Sequence, residues 1–309
     1  MRVAVVDIGT NSTRLLVADV VPGGVPEEID RRSIVTRLGE GLEASGRLGE
    51  VPIRRVFDAL CQYREAIEDH GCEARVAAMT SAVRDAANGQ EFAAAVRERF
   101  GLDGRTISGL EEARLTYAGA TAARDPDDPT PLVVIDIGGG STEFVAGARG
   151  TVGFHSSLQV GVVRHSERHI TGDPPAAAEL EALGADARAA IVSGVPAATR
   201  EATRAAIAVA GTATSAAAID LALERYDTAR VEGHVLGLDR LRELRDRLAA
   251  LPLAERREVT GLHPDRAPTI VAGMVILIEA IEAFDLDRVE ISDRDILWGM
   301  AIAAASGGA

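Results

Sequence analysis

VVDIGTNSTR, residues Val5–Arg14, and VIDIGGGSTE, residues Val134–Glu143, agree at six of ten positions across a constant offset of 129 residues. In both copies a short apolar run ends in Asp-Ile-Gly, a glycine turn follows, and a second apolar run resumes. That is the pattern of strand, tight turn and strand. A unit that recurs once in each half of a chain points to internal duplication, so two similar α/β domains are expected, each offering its turn to a shared cleft. Between the copies lies RDPDDPTP, Arg124–Pro131, with three prolines and three aspartates, which neither helix nor sheet interior tolerates well. The domains are therefore expected over residues 1–127 and 128–309, with a terminal helix over about 293–309.

Outward from the two turns, periodicity alternates strands with helices, the mark of the α/β class. In the first half a strand is expected at Ala74–Met79, with helices near Pro52–Asp69, Ala82–Arg99 and Leu110–Ala123. The second half reads as strands to about Ser157, helices through Arg168 and over Pro175–Ala190, and a strand at Ala205–Ala210. Helices near Ala213–Glu224, Leu238–Leu251 and Pro268–Phe284 follow, with a last strand at Val289–Ser292. The 309 residues suit two domains, and 47% hydrophobic with 26% charged residues exclude a disordered or collagen-like chain. The most apolar run, IVAGMVILI from Ile270, has nine residues, too few to span a bilayer. The opening MRVAVVD meets an aspartate before any signal-like apolar region, so a cytoplasmic protein without a membrane span is expected. Cys61 and Cys72 form neither a zinc nor a disulfide framework.

A net charge of −14 is the wrong sign for a general nucleic-acid coat, so no DNA partner is expected and any anion must bind locally. Lysine is absent, and all 33 basic residues are arginine; a phosphate site must use guanidinium forks or backbone amides. A glycine turn supplies the latter, because consecutive N–H groups round a concave point form an anion nest. Gly9, Thr10, Asn11, Ser12 and Thr13 would do so in the first turn, and Gly138, Gly139, Gly140, Ser141 and Thr142 in the second. Asp7 and Asp136 end the strands just before these nests, where a carboxylate repels phosphate unless it holds a cation; Mg²⁺ or Mn²⁺ reconciles the two, with Glu143 as a second carboxylate near Asp136.

Other candidates stay open on the residues alone. VAGTATSAAAI from Val209 is either a third anion site, through Gly211, Thr212 and Thr214, or an ordinary strand-to-helix turn with Thr212 as N-cap. Arg84 reads as a phosphate contact or as a surface ion pair with Asp85 or Glu91. Glu111 and Glu112 both sit where a helix start favours acids, and physics does not separate them. His165 and His169 have i, i+4 spacing but lack the glutamate after the first histidine, and a solvated helix face accounts for them. LRELRDRLAALPLAERREV reads as a solvated helix pair.

VVDIGTNSTRLLVAD, TSAVRDAANGQEF, ISGLEEARLTYAGA, VIDIGGGSTEF, LQVGVVR and VAGTATSAAAI, in this order, resemble the exopolyphosphatase and guanosine pentaphosphate phosphatase family of the actin and sugar-kinase superfold, from Val3 to about Ala283. The resemblance implies two ribonuclease H-like domains with the active cleft between them, the final helix returning to pack on the first domain, in a short form without further C-terminal domains. It implies that Glu112 is the catalytic base and that Asp136 and Glu143 organise metal and water. Gly138, Ser141, Asn11, Ser12, Arg84, Gly211 and Thr212 match phosphate-binding positions. Near the C-terminus DILWGMA, Asp295–Ala301, departs from the family pattern, and no role is carried to it. Release of terminal orthophosphate from inorganic polyphosphate is the expected activity, with guanosine pentaphosphate as the alternative substrate and a homodimer as the expected assembly. A nucleotide needs stacking partners; aromatic residues make up only 3%, leaving Arg14 or Arg37 to stack, which leans toward polyphosphate. The rival classes are a sensor or scaffold with a dead cleft, and a kinase of the same superfold.

Overall fold

Apolar residues in unbroken runs make strands buried on both faces, and the strand β1 (Arg2–Ile8) is the first of these. It turns back antiparallel into β2 (Ser12–Asp19), which pairs antiparallel with β3 (Glu27–Val35). The short helix α1 (Leu42–Ser45) and the long α2 (Glu50–Asp69) lead to β4 (Ala74–Met79), parallel to β1. Next come α3 (Ser81–Asp85), α4 (Gly89–Phe100), β5 (Asp103–Thr106) and α5 (Gly109–Ala120), giving a sheet of order β3-β2-β1-β4-β5. The structure, a computed structural model, describes residues 1–21 and 23–306; residues 307–309 of the expected terminal helix lie outside the described residues.

The second half begins with β6 (Leu132–Ile137), β7 (Thr142–Ala148) and β8 (Thr151–Leu158), an antiparallel meander like β1–β3. Helices α6 (Val162–His169), α7 (Ala177–Gly194) and α8 (Ala197–Ala202) precede β9 (Ala205–Val209), which is parallel to β6 as β4 is to β1. The helices α9 (Ala210–Asp220) and α10 (Thr228–Val231) lead to β10 (His234–Gly237), then α11 (Leu238–Ala249) and α12 (Leu253–Arg256). A single 3₁₀ turn (Pro264–Arg266), α13 (Ile270–Ala283) and β11 (Arg288–Ile291) complete a sheet of order β10-β11-β9-β6-β7-β8. The last helix is α14 (Ile296–Ala305). The expected duplication is therefore present strand for strand, as β3-β2-β1-β4 in one sheet and β8-β7-β6-β9 in the other.

Two compact units result: Met1–Ala123 together with Asp295–Ala309, and Arg124–Arg294. In the first, β1 alternates its side chains between two cores. Ala4, Val6 and Ile8 pack with Val56, Leu60 and Tyr63 of α2, whereas Val3 and Val5 pack with Ile296, Leu297, Trp298 and Ala301 of α14. In the second unit the largely buried α13 forms the middle of one large core, with Ile135, Phe144, Leu183, Ala213 and Leu244 around it.

Several expectations shift. The expected Ala82–Arg99 helical stretch is broken into α3 and α4, because the Asn88 side chain is tied to the Leu48 backbone, donating to its carbonyl (3.0 Å) and accepting from its amide (2.8 Å). The last helix starts after residue 293, since Asp295 caps it by accepting from the Leu297 amide at 3.0 Å. Ser292 and Asp293 instead bond the Glu232 carboxylate of the second unit. Strand β3 escaped the sequence reading because EEIDRRSIV lacks an apolar alternation; it is an edge strand, where charge is tolerated and guards against mispairing. Arg256, expected on a solvated face, is buried and donates to the carbonyls of Leu248, Leu251 and Ala267.

Candidate active site

Each unit carries a strand–glycine turn–strand hairpin, β1–β2 in the first and β6–β7 in the second. In the first unit Gly9 N–H closes the turn on the Ser12 carbonyl (3.0 Å). The Thr10 carbonyl accepts from Gly39, and the Asn11 carbonyl accepts from Thr36 and Arg37. With the carbonyls engaged, the amides of Thr10 and Asn11 have no acceptor among the described residues, and both residues are exposed. The Thr10 hydroxyl meets that of Ser81 at 2.9 Å, joining the turn to the start of α3.

Arg84, in the last turn of α3, donates to the Ile107 carbonyl (3.0 Å) and to Glu112 Oε2 (3.3 Å), and its Nε lies 3.7 Å from Asp85. The phosphate reading and the ion-pair reading thus describe the same side chain, anchored by a carbonyl and turned toward Glu112. The two glutamates at the start of α5 separate here: Glu111 pairs with Arg105 at 2.7 Å, whereas Glu112 faces Arg84. Ser108 caps α5 by accepting from the Glu111 amide.

In the second unit Gly138 N–H closes the turn on the Ser141 carbonyl (2.9 Å). The Gly138 carbonyl accepts from Val162 N–H, that of Gly139 from Val163 and Arg164, and that of Gly140 from the Arg164 Nε (3.2 Å). Helix α6 therefore takes up the loop's acceptors, and the amides of Gly139 and Gly140 have no acceptor among the described residues. A side chain on Gly161 would overlap the Gly139 and Gly140 backbone, so this approach requires glycine. Gly161 and Arg164 were missed as site-forming residues; the signal was a second glycine following β8 directly before a helix.

Asp7 pairs with Arg14 across β1–β2, and Asp136 pairs with Glu143 across β6–β7, the same register in both hairpins. The charge opposite the strand-end aspartate is thus reversed between the copies. Arg14 Nε and Nη2 both donate to Asp7 Oδ2 (3.0 and 2.7 Å), and its Nη1 donates to Asp295. Asp7 is buried, with Oδ1 lacking a hydrogen-bond partner, and burial pushes its carboxyl pKa up against the opposing pull of Arg14. Its metal role, expected from sequence, meets a carboxylate already engaged by a guanidinium. Arg14 is held between two aspartates, which removes it as a nucleobase-stacking residue.

Glu143 and Asp136 are two facing carboxylates, a pairing that repels unless a cation or donors intervene. Glu143 Oε1 accepts from the hydroxyls of Ser141 and Ser157, each at 2.7 Å. These oxygens beside a loop of free amides fit a hard divalent cation, which takes one or two carboxylates and fills its shell with water and phosphate oxygens.

The third turn also differs from expectation. Thr212 lies inside α9, which is preceded by Val209, and is nearly buried against Gly273 of α13, so it is not the N-cap. Ala210 adopts φ 62°, a left-handed conformation that costs an L-residue energy and is a known habit of functional turns. The guanidinium of Arg266 lies directly over Gly211, where any side chain would collide with it. Sequence reading passed over Arg266 because it lies more than fifty residues from the turn it covers.

Residues 16–302 match the profile of the Ppx/GppA phosphatase family. The chain is 34% identical over 317 aligned residues to exopolyphosphatase 2 of Mycobacterium tuberculosis, with 98% of each chain covered. It is 29% identical to exopolyphosphatase 1 of Mycobacterium bovis, covering 98% of this chain and 88% of that one. The crystal structure of an Aquifex aeolicus Ppx/GppA family member superposes with a TM-score of 0.87 at 29% identity, covering 99% and 98% of the two chains.

Proposed function

Because the chain belongs to the Ppx/GppA phosphatase family and has its actin-like, two-domain fold, we propose that it hydrolyses the terminal phosphoanhydride of inorganic polyphosphate. The observation that carries this reading is the Asp136–Glu143 carboxylate pair beside the free amides of Gly139 and Gly140. Amides bind phosphate oxygens, and paired carboxylates bind the cation that travels with them. With no lysine in the chain, this reading rests on arginine side chains and backbone amides as the phosphate donors.

In this reading Asp136 and Glu143 hold Mg²⁺ or Mn²⁺, which when bound neutralises phosphate charge. Ser141 and Ser157 fix the Glu143 carboxylate so that it does not swing away. In the second unit Gly139 and Gly140 offer N–H groups to phosphate oxygens and Arg266 over Gly211 adds a guanidinium; in the first unit Thr10 and Asn11 offer theirs. Glu112 orients a water, whose oxygen attacks the terminal phosphorus. The bridging P–O bond breaks, the shortened chain departs with that bonding pair, and the water's proton passes to Glu112. Arg84 holds the Glu112 carboxylate in place through Oε2. Positioning and charge neutralisation supply most of the rate in such transfers.

The test is phosphate release from short polyphosphate, long polyphosphate and guanosine pentaphosphate, with Mg²⁺ and with chelator. Glu112→Gln keeps the shape and loses the base, and release is expected to fall ~10²–10⁴-fold. Near-wild-type turnover in that variant removes Glu112 from the role. Faster release from guanosine pentaphosphate than from either polyphosphate replaces the substrate; the engagement of Arg14 by Asp7 and Asp295 and the few aromatic residues favour polyphosphate.

A further inference from the structure

Away from the phosphate loops, α6 and α7 bring together ligands of a different chemical kind. His165 and His169 lie one turn apart on α6, and Asp186 faces them from α7. One ligand atom from each lies within 4.8 Å of the others. His169 Nε2 is 2.8 Å from Asp186 Oδ2, and His165 Nε2 is 3.6 Å from the same oxygen, beyond hydrogen-bond reach. His165 is 1% exposed, and its Nε2 is buried with no hydrogen-bond partner. The expected solvated helix face is therefore wrong for His165, whose helix packs against α7 and α13.

We propose that His165, His169 and Asp186 form a site for a divalent transition ion of the zinc type, separate from the cation at Asp136 and Glu143. Two imidazole nitrogens and one carboxylate suit zinc, whereas Mg²⁺ prefers oxygen. Three protein ligands leave a position for water, and the half-buried Asp186 and His169 give that position a route to solvent. An ion-pair cluster alone does not account for the arrangement. Arg168 Nη1 lies 2.9 Å from Asp186 Oδ2 and, with His169, satisfies that oxygen, but it leaves the His165 Nε2 stranded. A buried ring nitrogen without a partner is rare, and a bound ion is one of the few reasons for it.

Loading the site has a structural consequence. Metal on Nε2 places the ring proton of His165 on Nδ1, so the Nδ1 contact that Gly161 N–H makes at 3.4 Å is given up. Gly161 is the residue that rests on the Gly139–Gly140 backbone. Occupancy is thereby linked to the loop that offers its amides to phosphate.

The experiment uses tag-free, full-length chain dialysed against excess Mg²⁺, with Zn²⁺ or Co²⁺ added at micromolar free concentration. Bound metal is measured by elemental analysis, and Co²⁺ by its visible absorption. One equivalent per chain is expected. His169→Gln and Asp186→Asn, both at partly exposed positions, should weaken binding at least tenfold, and Arg168→Gln should tighten it several-fold by removing a competing cation. Asp136→Asn should retain it. Loss of the ion in Asp136→Asn, unchanged binding in His169→Gln and Asp186→Asn, or no bound ion in the wild type overturns the proposal. None of these readouts depends on phosphate release, so the phosphatase reading and the metal site fail separately.

Discussion

At residue scale, the two copies of one hairpin differ in the sign of the charge opposite the strand-end aspartate, Arg14 in one and Glu143 in the other. Arg14 makes Asp7 part of a buried ion pair; Glu143 makes Asp136 part of a facing acid pair. Opposite mutational signatures follow. Arg14→Met leaves the buried Asp7 carboxylate without its guanidinium, and breaking such a pair costs about 3 kcal/mol or more, read by denaturant unfolding. Glu143→Gln removes repulsion, so stability should hold or rise while phosphate release falls and its Mg²⁺ requirement moves to higher concentration. Equal loss of stability in both variants would show that the sign reversal has no functional meaning. This contrast was only half legible in the sequence: the repeat was visible, but the pairing of position 14 with position 7 depends on a register that only the folded hairpin displays.

At the scale of elements, helices are placed by small contacts at their ends and crossings. Glu179, in the first turn of α7, accepts from the Thr171 hydroxyl (2.6 Å) and from the amides of Thr171, Gly172 and Ala176. The Thr171 hydroxyl and then these amides pull its pKa down from 4.5 to about 2. A depressed carboxylate adds stability above its unfolded pKa and loses it as pH falls through the folded one. Between pH 4.5 and about 2 the unfolding midpoint of Glu179→Gln should therefore fall less steeply than that of the wild type; parallel acid limbs would contradict the assignment. Helices α5 and α14 cross at Gly119 and Gly299, where a methyl group would overlap the Asp295 and Leu115 carbonyls. Gly299→Ala should cost ~1–3 kcal/mol by overpacking and lower activity, since α5 carries Glu112 and α14 carries Asp295. The DILWGMA segment, without a role on sequence grounds, thus packs against α5 and secures Arg14. Long apolar periods such as β1 and α13 were plain from sequence; β3 was not, since an edge strand in water carries no burial pattern.

For the whole molecule, the duplication was legible because a strand, aspartate and glycine turn must keep their residue types wherever they recur. The units' composition was legible only through the family resemblance, which implied that the final helix returns to the first domain: α14 belongs with the first unit although it lies at the other end of the sequence, a long-range pairing that no local pattern reports. The net charge of −14 acts on any polyanion approaching the protein. Salt screens repulsion over a Debye length of about 10 Å at 0.1 M. The kcat/KM for long polyphosphate should consequently rise between very low and moderate ionic strength, and a monotonic steep fall would reveal a dominant basic groove instead.

The return of α14 also bears on how the chain comes off the ribosome. Ile296, Leu297, Trp298 and Ala301 cover the face of the first sheet that carries Val3, Val5, Leu16 and Ala18. A nascent first half emerges with that face bare and keeps it bare while all of Arg124–Arg294 is translated. The second unit, continuous in sequence, is able to complete its core before the first, although it is made later. A chain that lacks Ile296–Ala305 leaves this apolar sheet face open to chaperones and proteases.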